Sequence, residues 1–257
     1  MKFCVLGSGS SGNMTYIEAG STKIVIDCGI SFSDACRRAP DLDIKNVSAV
    51  FISHEHTDHV SFLPTFVKKT KAKIYINKKT FGALKKEIRD GLVGAQVAFI
   101  EGDSCYKIGD LDICTCTLMH DASNNFGFII RYKDYQVGSF TDTGIFPARY
   151  KHLLSDLDAF VIEANHNVEL LQNSKRPYPV INRTLSSTGH ISNMACFELL
   201  KETLTKKTKC VILGHISQDC NDEECLHKEI IDKFDGSGIE FIIAKRYEAT
   251  KEVIFDD

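Results

Sequence analysis

The chain has 257 residues, which is long enough for one large domain with a substantial core. Apolar residues make up 43% and charged residues 25%, as in ordinary globular proteins. The net charge of −3 excludes a protein that coats nucleic acid with a broadly basic surface, but it allows a local basic patch. No apolar run approaches a membrane span, and the short run from Phe3 to Leu6 predicts a strand and not a signal peptide.

The predicted elements alternate between apolar, β-branched runs and shorter helical patterns. The expected strands are Lys2 to Leu6, Thr15 to Ala19, Lys23 to Asp27, 47–53, Val97 to Ile100, Ile113 to Leu118, Phe126 to Tyr132, Gln136 to Phe140, Asp158 to Ile162, Cys210 to Leu213 and Ile239 to Ala244. The expected helices are Ser31 to Arg38, one that begins near Val60, Ala148 to Ser155, Met194 to Thr203 and Asn221 to Phe234. The glycine- and serine-rich stretch 7–13 predicts a tight loop, and Ser174 to Thr184 predicts another loop. Since no repeat or linker interrupts the chain, we expect a single domain over 1–257.

Ten cysteines are scattered along the chain without a CxxC pair, and many lie in apolar runs. Such cysteines are typical of buried, reduced thiols in a reducing compartment. We therefore expect a cytoplasmic protein without disulfides.

The most informative stretch is Ser53-His54-Glu55-His56-Thr57-Asp58-His59, which follows an apolar run. In an extended chain, His54 and His56 point to the same side, and Asp58 and His59 can turn towards a neighbouring point. Imidazole suits zinc and related ions, and a carboxylate extends the choice towards manganese. The alternative is a solvated loop in which the histidines are coincidental.

Further candidate ligands also follow apolar runs: His120, Asp142 and His215. Asp27 follows another such run, where it is either an exposed turn residue or the buried partner of a metal-binding histidine. Because an aspartate has two carboxylate oxygens, it can bridge two ions, and two ions can share a hydroxide in a displacement reaction.

This ordered set resembles the metallo-β-lactamase-fold hydrolases, with His54 to His59 as their HxHxDH box. The resemblance implies an α/β (α+β) fold, a four-layer αββα sandwich in which two mixed β-sheets are flanked by helices. It implies two divalent metal ions per chain, with zinc as the first choice and manganese or iron as alternatives. By this resemblance, His54, His56 and His120 hold one ion, Asp58, His59 and His215 hold the other, Asp142 bridges them, and Asp27 supports them from the second shell.

Four further stretches are similar to the WalJ/YycJ-type branch, which is related to tRNase Z: 8–13, 163–166, 187–193 and 214–217. The resemblance implies a catalytic group of Asp58, His190 and Glu163, in which His190 protonates the leaving oxygen. The alternative for His190 is a role in packing its loop or capping the following helix. The stretch between His59 and His120 lacks the long glycine- and proline-rich arm of tRNase Z, which argues against tRNA processing.

A local excess of positive charge lies between Lys68 and Arg89. This range contains nine lysine and arginine residues and a single acidic residue, Glu87. It indicates either a solvated face or a polyanion-binding surface. Lys175, Arg176 and Arg183 precede His190 and are candidate substrate-binding residues, because guanidinium groups suit phosphate oxygens.

These features predict a dinuclear-metal phosphodiesterase or nuclease, exonuclease-like, whose substrate is nucleic acid, DNA in preference to RNA, and which does not bind membranes. One alternative is a small-molecule ester or thioester hydrolase of the glyoxalase type, although the segment after His215 is short for its helical substrate domain. A non-catalytic regulator is a third possibility, which the complete ligand set disfavours.

Overall fold

The computed structural model describes residues 1–256. Its strands are β1 Lys2–Gly7, β2 Met14–Ala19, β3 Thr22–Ile26, β4 Ala49–Phe51, β5 Lys73–Ile76, β6 Val97–Phe99, β7 Cys105–Ile108, β8 Leu111–Thr117, β9 Phe126–Tyr132, β10 Tyr135–Phe140, β11 Ala159–Glu163, β12 Cys210–Gly214, β13 Glu240–Ile243 and β14 Val253–Ile254. Its α-helices are α1 Phe32–Arg38, α2 Thr57–Val60, α3 Leu63–Thr70, α4 Lys78–Ala83, α5 Lys86–Asp90, α6 Lys151–Leu154, α7 Val168–Gln172, α8 Tyr178–Leu185, α9 Asn193–Thr203 and α10 Glu223–Glu229.

The strands form two mixed sheets of seven strands each, which confirms the expected fold class. The orders are β14-β1-β2-β3-β4-β5-β6 and β13-β12-β11-β10-β9-β8-β7. Within residues 1–256, no helix combines the length and the apolar character needed to cross a bilayer. The chain divides into two compact units, one formed by 1–117, 122–135 and 245–257, the other by 118–121 and 136–244. The expectation of a single domain stays a prediction.

In the first unit, the order of strand directions brings three loops to the same sheet edge. Strand β1 is antiparallel to β2, which is antiparallel to β3, and β3 is parallel to β4. The carboxyl ends of β1, β3 and β4 therefore lie together. Behind this edge, Val50 and Ile74 of the sheet pack in one apolar core with Phe66 of α3, and the ring of Phe51 contacts Phe128 at a centroid distance of 5.7 Å. This burial makes the edge a rigid support for polar side chains.

In the second unit, β10, β11, β12 and β13 run parallel to one another. The two central strands of this group, β11 and β12, are mostly apolar and completely buried, as in a sheet covered on both faces. Phe140 is paired with Ile162, and Glu163 with Gly214, so the residues that end these strands meet at one edge.

The segment expected to be a loop at 174–184 contains α8, so that expectation was wrong. Pro177 and Pro179 stand at the start of α8, where the missing N–H groups cost nothing, and Ile181 and Thr184 are buried. Two prolines close together suggested a loop, but they mark the helix N-terminus. Three strands were also missed: β5, β7 and β14. Strand β5 was hidden by the surrounding lysines, although Ile74 and Ile76 alternate with half-buried neighbours in the pattern of a strand.

Cys105 and Cys114 are directly opposite on β7 and β8 and are joined by a disulfide. The expectation of reduced thiols was therefore wrong for this pair. Within residues 1–256, the other eight cysteines take part in no disulfide, and six of them are buried.

Candidate metal centre

The first group of predicted ligands lies in the first unit, at the carboxyl ends of β3 and β4. We call His54, His56, Asp58 and His59 the motif cluster. His54 follows β4 by three residues, and Asp58 and His59 lie in the short helix α2. His54 and His59 are fully buried, whereas His56 and Asp58 are partly exposed. The ring centroid of His54 is 4.6 Å from that of His56 and 4.1 Å from that of His59, so three imidazoles converge.

Asp27 follows β3 and supports this cluster from below. Its Oδ2 lies 2.8 Å from His59 Nδ1, and its Oδ1 accepts a hydrogen bond of 2.8 Å from the Ser53 amide. Because a carboxylate only accepts hydrogen bonds, His59 donates from Nδ1 and keeps the Nε2 lone pair. The Ser53 hydroxyl lies 2.9 Å from both Asp27 oxygens and 3.0 Å from His54 Nδ1, so it extends this support to His54. Sequence analysis did not identify Ser53, although it begins the histidine motif.

The second group lies in the second unit, in the segment 118–121 and where β10, β11 and β12 end. We call His120, Asp142, Glu163, His190 and His215 the strand-end cluster. Asp142, Glu163, His190 and His215 each place one ligand atom within 4.8 Å of the others. His120 Nε2 lies 3.9 Å from Asp142 Oδ1, and its Nδ1 donates to Gly189 O at 3.1 Å. The structure thus brings together four residues that the sequence predicted as metal ligands or catalytic groups: Asp142, Glu163, His190 and His215.

Glu163 is the centre of this cluster and is fully buried. Its Oε1 accepts hydrogen bonds from His190 Nδ1 at 2.6 Å and His215 Nδ1 at 3.0 Å, while its Oε2 accepts one from the Thr143 amide at 2.9 Å. Burial acts to raise the pKa of Glu163, but His190 and His215 lower that pKa to about 2. Burial likewise acts to lower the pKa of His190, and Glu163 raises it above its usual value. A single carboxylate therefore orients both imidazoles.

The orientation of His215 is that of a metal-binding histidine. Its Nδ1 is committed to Glu163, which leaves Nε2 as the ligand atom, 3.3 Å from Asp142 Oδ1. His190 likewise donates from Nδ1 to Glu163, and because its side chain is 18% exposed, its Nε2 side can meet a substrate.

Three site residues that follow strands have left-handed backbone conformations. The φ angles are 62° for Asp27, 59° for Asp142 and 50° for His215. Non-glycine residues adopt this region rarely and at an energetic cost, which the surrounding structure must offset. The turn directs each side chain away from its own strand. No feature of the sequence signals this conformation.

The donor set fits divalent first-row metal ions. His59 and His215 carry their protons on carboxylate-bound nitrogens, and the aspartates Asp58 and Asp142 add negative charge. Zinc, manganese and iron all accept such nitrogen and oxygen ligands. The sequence predicted the candidate ligands from their positions after apolar runs. The hydrogen bonds from histidines to Asp27 and Glu163 show how the rings of those histidines are oriented.

The predicted substrate-binding residues have mixed surroundings. Arg183 pairs with Asp121 through two nitrogens, and Arg176 pairs with Asp219 and donates to Ser217 Oγ at 3.0 Å. A phosphate must compete with these carboxylates. Lys175 is exposed. In residues 1–256, no ion pair involves the following seven exposed lysines: Lys68, Lys69, Lys71, Lys78, Lys79, Lys85 and Lys86.

Comparisons with known proteins show the family and the fold of the chain. A family model described as the metallo-beta-lactamase superfamily matches residues 7–122. Exodeoxyribonuclease YycJ of Bacillus anthracis is 31% identical over 87% of this chain and 85% of its own length. Exodeoxyribonuclease WalJ of Streptococcus pneumoniae is 31% identical over 93% of this chain and 92% of its own length. The solved metallo-beta-lactamase fold protein YhfI from Bacillus subtilis covers 98% of both chains with a TM-score of 0.73 at 17% identity, which supports the fold.

Proposed function

The chain belongs to the metallo-β-lactamase superfamily of metal-dependent hydrolases, and we propose that it is a dinuclear phosphodiesterase that removes nucleotides from DNA. The reaction class rests on the site, and the choice of DNA rests on the two relatives named as exodeoxyribonucleases. The observation that carries the proposal is the Glu163 carboxylate, which serves His190 and His215 at once. Through these two hydrogen bonds, Glu163 orients His215 as a metal ligand and His190 as a proton donor. Hydrolysis of an alkyl phosphodiester needs both functions.

In this proposal the metals are two divalent ions, zinc by preference. His54, His56 and His120 would hold one ion, Asp58, His59 and His215 the other, and Asp142 would bridge them. This assignment rests on the order of the motifs in the superfamily. Bound ions would supply a water of lowered pKa and charge to balance the phosphate oxygens.

The role of the protein's own residues follows from their hydrogen bonds. Asp27 and Ser53 fix the rings of His59 and His54, and Glu163 fixes those of His190 and His215. Since Nδ1 of His190 is held by Glu163, the proton that it delivers leaves from Nε2 to the departing 3′ or 5′ oxygen of the substrate. The raised pKa of His190 keeps that proton available near neutral pH.

Seven exposed lysines of 68–89 form no ion pair with any described residue, and they support a polyanionic substrate. Their positive charge is concentrated in 68–89, while the chain as a whole carries −3. Clustering of this kind gives DNA a local attraction that the net charge does not provide. The expected cytoplasmic location is part of this proposal, since it gives the enzyme access to DNA.

The test is a matrix of metals and substrates. Protein stripped of metal and reloaded with Zn²⁺ or Mn²⁺ is assayed on DNA, RNA, a generic phosphodiester and a thioester. We expect turnover of DNA above that of RNA, slower turnover of the generic diester and none of the thioester. Asp142→Ala should abolish turnover with either metal, because the bridging carboxylate is removed. Preferred hydrolysis of the thioester would replace the nuclease proposal with the glyoxalase-like alternative.

A further inference from the structure

The loop 7–13 between β1 and β2 was expected to be only a tight turn, but it packs directly against the motif cluster. It lies at the sheet edge where β3 and β4 also end. The backbone N–H of Asn13 donates to Asp58 O at 2.8 Å, and the backbone N–H of Gly29 donates to Asn13 O at 3.0 Å. The backbone of this loop is therefore tied to the helix that carries Asp58 and His59.

The glycines of this region make that close approach possible. Gly12 has a φ of 149°, and a Cβ on it would lie 2.2 Å from Gly29 O. A Cβ on Gly29 would lie 1.7 Å from Asp58 O. Any side chain at these positions would separate the loop from the motif cluster.

The side chain of Asn13 is almost fully buried, and its orientation is fixed. Its Oδ1 accepts hydrogen bonds from the Gly9 amide at 2.8 Å and from Ser8 Oγ at 3.3 Å. Because the oxygen faces these donors, the Nδ2 group must face the other way. There it lies 3.2 Å from Asp58 Oδ2, 3.2 Å from Gly9 O and 3.0 Å from His59 Nε2, and its two hydrogens can serve two of these three acceptors.

We infer that Asn13 is a positioning residue for the metal centre, since its side-chain Nδ2 group holds the Asp58 carboxylate beside His59. The Asp58 side chain is 20% exposed, and the donor on Asn13 restricts the rotation of its carboxylate. His59 is already fixed at Nδ1 by Asp27, so Asn13 sets the place of the carboxylate relative to that ring. Asn13 would therefore affect the ion that the proposed function assigns to Asp58, His59 and His215. The inference rests on that assignment. Outer hydrogen-bond partners of metal ligands typically contribute 10- to 100-fold to metal affinity.

The experiment measures metal affinity directly, so that it does not depend on nuclease activity. Metal-free parent and Asn13→Ala proteins are titrated with Zn²⁺ against a chromogenic chelator, and Co²⁺ spectra report the ligand geometry. We expect the affinity for one of two ions to fall about 10- to 100-fold in Asn13→Ala, with an altered Co²⁺ spectrum. The matched control is Asn46→Ala, which removes a comparable contact of an asparagine with Asp43 Oδ1 at 3.0 Å on the surface of the same unit. It should bind both ions as the parent does.

Two further measurements separate positioning from a role in folding. If Asn13 acts through Asp58, then Asn13→Ala should lower metal affinity much less in an Asp58→Ala background. The milder Asn13→Ser variant should fold and still show weakened binding, because serine is too short to reach Asp58. Parent-like affinity for both ions in Asn13→Ala and Asn13→Ser would overturn the inference, as would equal losses in the presence and absence of Asp58. Neither result would affect the nuclease proposal, which is tested with substrates.

Discussion

Individual residues in this site are defined more by their hydrogen-bond partners than by their type. Glu163 holds His190 and His215, Asp27 holds His59, and Asn13 holds Asp58, and the three supporting residues are all buried. A buried carboxylate that makes several hydrogen bonds remains ionised, and the pKa of about 2 for Glu163 agrees with this. These supporting residues cost conformational freedom and determine the direction of each imidazole.

The first prediction concerns His190 as a proton donor. His190→Ala should lower the rate on an alkyl phosphodiester about 10²- to 10⁴-fold, because the departing alkoxide is a poor leaving group without a proton. The same variant should lose much less rate on an ester of an acidic phenol, which leaves without one. The measurement is the ratio of kcat/KM values for the two substrates.

The control for this prediction is His227→Ala, which breaks another histidine–aspartate contact, 3.0 Å from Nδ1 to Asp232 Oδ1, on the surface. It should leave both rates unchanged. Equal losses on the alkyl and aryl substrates in His190→Ala would show that His190 supports the structure of the site and does not donate a proton.

At the scale of elements, the parallel strands explain why the candidate ligands could be found from sequence. Strands β3, β4, β11 and β12 are mainly apolar, β10 ends in a buried phenylalanine, and a polar residue that follows such a strand lies at the sheet edge. The pattern thus predicted Asp27, His54, Asp142 and His215 as candidates. The proton positions on the imidazoles, the left-handed turns and the contact of the 7–13 loop with α2 depend on tertiary packing, which no local pattern encodes.

The elements that sequence reasoning missed share a physical cause. Helix α8 begins with prolines, β5 lies among lysines and β14 has only two residues. In each case the local preference is weak or misleading, and burial against the rest of the fold decides the structure. The disulfide between Cys105 and Cys114 was also missed because it depends on tertiary structure: the register of β7 and β8 places the two residues opposite each other.

The second prediction tests the close packing between the loop after β3 and α2. Gly29→Ala should destabilise the protein by about 3 kcal/mol, because the added methyl group would overlap the Asp58 carbonyl and force the backbone apart. The measurement is the free energy of unfolding by urea in metal-free protein.

Gly82→Ala is the matched control, since Gly82 is exposed in α4 and an added Cβ would meet no atom within 4 Å in the described chain. Alanine in a helix should stabilise this position by about 0.5–1 kcal/mol. A Gly29→Ala protein as stable as the parent would mean that the loop can move away from α2 at little cost.

At the scale of the molecule, charge is distributed unevenly. The chain carries a net −3, yet 68–89 contains nine cations and a single acid. Arg176 and Arg183 are paired with carboxylates, whereas the lysines of 68–89 have no ion pairs within the described residues. Lysines without carboxylate partners are available to phosphates, so this surface is the stronger candidate for binding the DNA backbone.

The third prediction removes this charge. The quadruple variant Lys68→Ala, Lys69→Ala, Lys78→Ala, Lys79→Ala should bind duplex DNA more weakly and raise KM for DNA, while the rate on a small phosphodiester stays near that of the parent. Each lost phosphate contact should make the slope of log K against log salt less steep by about 0.9. The control replaces four other exposed lysines, Lys45, Lys201, Lys206 and Lys228, with alanine, so that both variants change the net charge from −3 to −7. If both variants lose the same affinity, net charge explains the effect. If neither the affinity nor the salt slope changes in the first variant, the lysines of 68–89 form a solvated face and DNA reaches the site by another surface.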